Sequence, residues 1–164
     1  MASSLRDIMY TFFEEIINNG RLELIDDLMT EDFTNTRTAL DSAATLAAGA
    51  ANAPLRREGS SGRDGFRKGL TMIRTAFPDY RNDIEELVIE GDRVAGSWLA
   101  TGTHQGEFLG IAATGRKLHM AEAGIMTFRD GRMATFWGIG DELGVLDGFG
   151  TITFDPKGAT NIGP

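Results

Sequence analysis

The sequence predicts an α+β fold: a cone-shaped, curved antiparallel sheet covered by three N-terminal helices, with a short helix near the C-terminus. Three observations carry this. Apolar residues recur at helical spacing early in the chain and again over 63–77. From Asp79 onward the period falls toward two. Short turns, Glu90-Gly91-Asp92 and Asp130-Gly131, sit between the alternating segments, where hairpins need them. Helices first and hairpin-linked strands after is the α+β order. The 164 residues, 41% of them hydrophobic, fit a single domain over 1–164 with a core of its own.

The first helix is marked by Leu5, Ile8, Met9, Phe12, Phe13, Ile16 and Ile17, which form one apolar stripe. Ser4 is placed to cap it, with Asp7 three residues on as a variant of the capping box. Asn18-Asn19-Gly20 stops it. A second short helix over 21–29 turns Leu24, Ile25, Leu28 and Met29 inward. The next stretch is Ala-rich, TALDSAATLAAGAANAPL, with few large side chains to anchor it. Pro54 ends it, and RREGSSGRDG reads as a loop. The segment 37–60 is therefore either a flap over the rest of the domain or a surface insertion. A third helix over 63–77 carries Phe66, Leu70, Ile73 and Phe77, and Pro78 closes it.

Four strands are predicted. In the first, 79–90, Tyr80, Asn82 and Ile84 alternate and then Leu87 and Ile89 take over, a change of phase that places a bulge near Glu85. The second, 93–104, puts Val94, Gly96, Trp98, Ala100, Gly102 and His104 on one face. A loop with Gly106, Gly110 and Gly115 leads to the third, 117–128, where Leu118, Met120, Glu122, Gly124, Met126 and Phe128 share a face and His119 has the opposite parity. The fourth spans 133–140 and gives way to a helix over 142–149. The tail 151–164 holds one candidate strand, Thr151 to Phe154, that would pair with a sheet edge or a partner subunit or remain unpaired.

Composition excludes several functions. A net charge of −8 without a basic cluster argues against nucleic acid, whose phosphates demand clustered Lys and Arg. No apolar run is long enough to span a bilayer. The start, MASSLRD, lacks a signal-peptide pattern, so a cytoplasmic location is expected. With no cysteine and only His104 and His119, no metal site is expected. No Gly-x-Ser-x-Gly elbow is present. The run Gly138-Ile139-Gly140-Asp141-Glu142-Leu143-Gly144 loosely resembles a dinucleotide loop, but twenty residues remain after it, too few for the βαβ unit that such a loop opens.

Acid–base chemistry remains. Asp141 lies at the rim of the sheet beside Gly138 and Gly140, which leave room for a ligand. A carboxylate near Trp137 and Phe136 that loses hydration gains basicity. Asp141 is equally well placed to cap the helix after it. His104, on the face of Trp98, is a candidate proton relay or enolate donor, or else a turn histidine bonded to the loop. Glu122, among methionines, is either a functional carboxylate or a sign that this face points outward. Tyr10 stands off the stripe of the first helix, where its hydroxyl could tip into the cone. Trp98, Phe108, Met120, Met126 and Phe136 read as core or pocket wall.

The runs AFPDY, EGDRV and GTHQGEFLGIAATGRKL, the closing W-x3-DELGVL, and FFEEIINNGRLELIDDLMTEDF in the helical region together resemble the SnoaL-like polyketide cyclases, of the ketosteroid isomerase-like, nuclear transport factor two-like superfamily. The resemblance covers about 5–150 without the 37–60 insertion. It implies helices closed over a curved sheet, a homodimer through the sheet's outer face, a small hydrophobic substrate, and no metal, flavin or nicotinamide cofactor. It implies an acid–base aspartate near the final strand, at Asp141, and a pocket histidine at His104. Many relatives carry Asp-His after the second helix, where this chain has Asn35-Thr36, and His before the final Trp, where it has Phe136. Asn35 is then a pocket residue, and the exchanges suit a substrate with fewer oxygens or a reaction steered mainly by shape. The expected function is cofactor-independent, aldol-type ring closure of a polyketide-like intermediate. The alternatives are epoxide opening, isomerisation or pericyclic closure in the same pocket, or a non-catalytic binding module.

Overall fold

The computed structural model describes residues 4–37, 62–108, 110–150, 152–154 and 160–162. The insertion expected over 37–60 lies outside the described residues from 38 onward.

The first helix opens as α1, Leu5–Thr11, with the Ser4–Asp7 capping box in place: Asp7 N–H donates to Ser4 Oγ at 3.2 Å and Ser4 N–H to Asp7 Oδ2 at 3.1 Å. It continues not as α-helix but as a π-helical stretch, Phe12–Asn18, which buries Phe12, Phe13, Ile16 and Ile17. Arg74 donates to the Ile17 and Asn18 carbonyls, both at 2.9 Å, and so satisfies the end of that stretch. The second helix is a 3₁₀ turn, Leu22–Leu24, followed by one α-turn, α2, Ile25–Leu28.

Next comes a strand that the pattern did not predict: β1, Met29–Arg37. Its three threonines suit a pleated surface, and Met29 and Phe33 are buried. Arg63, at the start of α3 (Gly62–Ala76), binds the Met29 and Thr30 carbonyls at 2.8 Å each and ties helix to strand.

The remaining strands fall within two residues of expectation: β2 Arg81–Glu90, β3 Arg93–Thr103, β4 Lys117–Arg129 and β5 Arg132–Gly140. The sheet order is β1-β5-β4-β3-β2. Four strands form an antiparallel meander, and β1 joins β5 in parallel, so the sheet is mixed rather than wholly antiparallel. It is curved and unclosed. The bulge sits where the phase change put it, between Ile84 and Glu86. Asp130 and Gly131 both take positive φ, +52° and +73°, as a tight primed hairpin turn requires. The predicted faces hold: Val94, Trp98, Ala100, His104, Leu118, Met120, Glu122, Met126 and Phe128 are buried, and His119 is exposed. Helix α4, Glu142–Gly148, comes directly after β5. Ile152–Phe154 (β6) pairs with Thr160–Ile162 (β7) in a separate two-stranded hairpin.

Candidate functional site

Glu122 stands on the inward face of β4, 4% exposed. In the ladder it lies between Trp98 of β3 and Gly140 of β5. The Trp98 indole Nε1–H donates to Glu122 Oε2 at a short 2.6 Å. Asn82, from β2, reaches the same oxygen with Nδ2 at 3.4 Å. With the amide turned over, Asn82 Oδ1 instead shares the Trp98 N–H at 3.3 Å, and Nδ2 donates to the Tyr80 hydroxyl at 3.1 Å and the Arg81 carbonyl at 3.2 Å. Either way Asn82 joins the pair. A polar cluster thus occupies the inner face, roofed by Phe13, whose ring centroid lies 5.0 Å from that of Trp98, and flanked by Phe136 at 6.1 Å. Gly124 makes this possible, because a Cβ there would lie 2.8 Å from the Trp98 ring.

Asp141 comes immediately after Gly140, so the two carboxylates leave the sheet from adjacent register positions. Asp141 N–H is fixed to the Ala121 carbonyl at 3.0 Å. Its side chain is exposed and caps α4: Oδ1 accepts the Gly144 N–H at 2.9 Å. The other oxygen has no hydrogen-bond partner among the described residues. Gly144 is a steric condition of this arrangement, since a Cβ there would collide with Asp141 Oδ2.

His104 is fully buried at the end of β3, beyond the last ladder pair, Thr103 with Lys117. Its ring is sandwiched between Phe77, at 5.2 Å, and Phe149, at 4.4 Å, with Phe108 against Phe77 at 5.1 Å. Nδ1 meets the Thr114 hydroxyl at 3.0 Å, and Nε2 has no partner among the described residues. Burial holds the imidazole below its ordinary pKa, against an opposing contribution from the Gly106 backbone. His104 therefore stacks on the residue that ends α4, while Asp141 begins that helix. Seven residues of helix, about 10 Å, separate them, and the structure does not bring the two together.

Of the predicted wall, Trp98, Met120, Met126 and Phe136 are buried with Glu122, and Phe108 belongs to the aromatic box of His104. Asn35 pairs with Phe136 across the parallel ladder, its Oδ1 buried without a partner among the described residues. Tyr10 is 52% exposed, because the stripe that faces the sheet runs through Ile8, Met9, Phe12 and Phe13 and leaves position 10 on the other side. Two polar residues escaped the sequence reading as site groups. Asn82 carried the same signal as Glu122, a polar side chain at inward parity. Glu142, buried in the first turn of α4, carried none.

Comparison with known proteins places this arrangement. Residues 35–148 match the SnoaL-like polyketide cyclase family, over more than half of the chain. No curated protein matches the sequence. Among solved structures, IdmH of Streptomyces antibioticus, described as a candidate polyketide cyclase, is 27% identical with a TM-score of 0.72 over 90% of this chain and 99% of its own. A candidate polyketide cyclase of Acidithiobacillus ferrooxidans is 26% identical, with a TM-score of 0.69 over 90% and 94%. AclR of Streptomyces galilaeus, described as a candidate hydroxylase, is 22% identical with a TM-score of 0.75 over 96% and 87%, which shows the fold alone. Fold and family are those of cyclase- and isomerase-type proteins. The chain belongs to the SnoaL-like polyketide cyclase family. No helix among the described residues is long and apolar enough to cross a membrane.

Proposed function

We propose that this protein closes a ring in a polyketide-like or related natural-product intermediate by acid–base catalysis, with Asp141 as the proton-transfer group. One observation carries the reading. The helix cap engages only Asp141 Oδ1, so capping and catalysis use different oxygens of one carboxylate. In an aldol closure Asp141 takes the proton from a carbon beside a carbonyl. The enolate carbon then bonds to a second carbonyl carbon, and the new alkoxide recovers the proton from Asp141. Glu122, held by Trp98 and Asn82, supplies a polar floor that accepts a substrate hydroxyl, and the buried Asn35 Oδ1 accepts another. His104, at the far end of α4, anchors the helix that carries Asp141, and the enolate oxygen draws its donor from water or from the substrate itself. Proton transfer contributes about 10²–10⁴-fold, and folding the chain of the substrate against the apolar face adds the rest. Asp141→Asn is expected to lower turnover of a confirmed substrate about a hundredfold or more. Survival within a few-fold removes Asp141 from the role.

A homodimer through the outer face of the sheet accompanies this reading. Val88, Ile125, Trp137 and Ile139 are each more than 40% exposed there. Val88 pairs with Ala95, Ala95 with Ile125 and Ile125 with Trp137, so the apolar positions run in register across four strands. Trp137→Glu is expected to convert a dimer to a monomer by light scattering, and a mass unchanged from wild type contradicts the interface.

A further inference from the structure

The Asn18 side chain meets β2 as a neighbouring strand would. Its Oδ1 accepts the Asn82 N–H at 2.8 Å and its Nδ2 donates to the Asn82 carbonyl at 3.1 Å. β2 is the edge of the five-stranded sheet, so these backbone groups lie on the side where no further strand pairs. Asn18 is the last residue of the π-helical stretch, and its Nδ2 is also held by Glu14 Oε2 at 3.1 Å. A π-helical turn carries an extra residue and so rotates the residues beyond it relative to a continuous α-helix. Here the re-aimed side chain is Asn18, and it grips the backbone of the residue whose amide touches Glu122 and Trp98.

We propose that Asn82 is a positioning residue for Glu122, and that Asn18, delivered by the π-helical stretch, holds Asn82 in place. The Asn82 backbone is clamped, and its side-chain amide meets the pair in either orientation. In one orientation the amide donates to Glu122, and in the other it shares the Trp98 N–H and donates to Tyr80. The amide therefore remains a partner of the Trp98–Glu122 pair whichever hydrogen bond the pair presents. The interlock also joins the helical layer to the inner face at one point: α1 and its π-helical continuation act on Glu122 through Asn18 and on Trp98 through Phe13. The functional importance of the arrangement rests on the reading of Glu122 as a site residue. The positioning itself does not.

The chain has two tryptophans, Trp98 and Trp137, so the amide-proton correlation spectrum of the isotope-labelled protein holds two indole signals, which Trp137→Phe assigns. The Trp98 signal is expected downfield, because its N–H is bonded to a carboxylate, and Glu122→Leu is expected to move it upfield. Asn82→Ala and Asn18→Ala are each expected to move it upfield while the Trp137 signal stays. A Trp98 signal unmoved in folded Asn82→Ala overturns the role of Asn82, and one unmoved in folded Asn18→Ala overturns the clamp. Where an alanine variant fails to fold, Asn82→Ser and Asn18→Asp take its place. Asn18→Asp keeps the acceptor for the Asn82 N–H and loses the donor, so the same upfield displacement is expected. Turnover separates the two readings. If Glu122→Gln leaves turnover intact while the indole shifts behave as stated, the site role of Glu122 falls and the positioning stands.

Discussion

Glu122 and Asp141 leave the sheet from adjacent register positions and end in opposite surroundings. Glu122 points inward, is 4% exposed, and is held by the Trp98 indole. Asp141 sits one residue past Gly140, exposed, with one oxygen committed to the first turn of α4. Alternation in a strand explains how neighbouring positions part: one side chain enters the core, and the other reaches the rim where the strand ends. Under the proposed function the contrast is a division of labour. A carboxylate enclosed by hydrogen-bond donors is a fixed feature of the wall. A carboxylate at the rim, steadied by one oxygen, keeps the other available to a reacting molecule.

The sharpest way to break this comparison is to move Asp141 without removing it. Gly144→Ala places a Cβ into the Asp141 carboxylate and is expected to lower turnover about tenfold to a hundredfold, because displacement of about 1 Å at a reacting group costs that much. An unchanged rate means that the position of this carboxylate is immaterial. Stability should then separate the two acids. Glu122→Leu removes the short acceptor of the buried Trp98 N–H and is expected to cost about 1–3 kcal/mol in denaturant unfolding, whereas Glu122→Gln retains an acceptor and should cost clearly less. Equal losses would show that Trp98 does not depend on this acceptor. Asp141→Ala removes a cap at an exposed helix start and is expected to cost about 1 kcal/mol.

A smaller effect concerns the far end of α4. His104 is buried with its pKa below the ordinary value of 6.5. The unfolded chain takes up a proton there before the folded one does, so this contribution to stability is whole above pH 6.5 and is lost as the pH falls below it. The unfolding free energy of wild type should fall faster than that of His104→Phe as the pH drops below about 6.5, by at most about 1.4 kcal/mol per pH unit. Parallel curves contradict the buried neutral imidazole.

The meander was legible in the sequence because its faces alternate cleanly: Val94 to His104 and Leu118 to Phe128 kept their parity, and the bulge at Glu85 showed as a break in phase. β1 was not legible. Among its described side chains the large inward ones are Met29 and Phe33, and its pairing with β5 is set by residues about a hundred positions away. The π-helical character of Phe12–Asn18 leaves no trace in apolar spacing, because positions 12, 13, 16 and 17 satisfy an α-helix equally well. Among the candidate site residues, Glu122 stood out as a carboxylate among methionines, and Asp141 as an acid at the end of the last strand. Asn82 bore the same mark but lay on an edge strand, where polar residues are ordinary. The aromatic box around His104 could not be read from a strand pattern, since Phe77 and Phe149 come from the ends of two different helices.

The central claim is that Asp141 moves the proton while Glu122 holds the floor. Single-turnover rates of Asp141→Asn and Glu122→Gln on one confirmed substrate test it most directly. The account predicts a loss of about a hundredfold or more in the chemical step for Asp141→Asn, and for Glu122→Gln a weaker effect felt mainly in substrate binding. A chemical step that survives Asp141→Asn within a few-fold and collapses in Glu122→Gln would reverse the assignment.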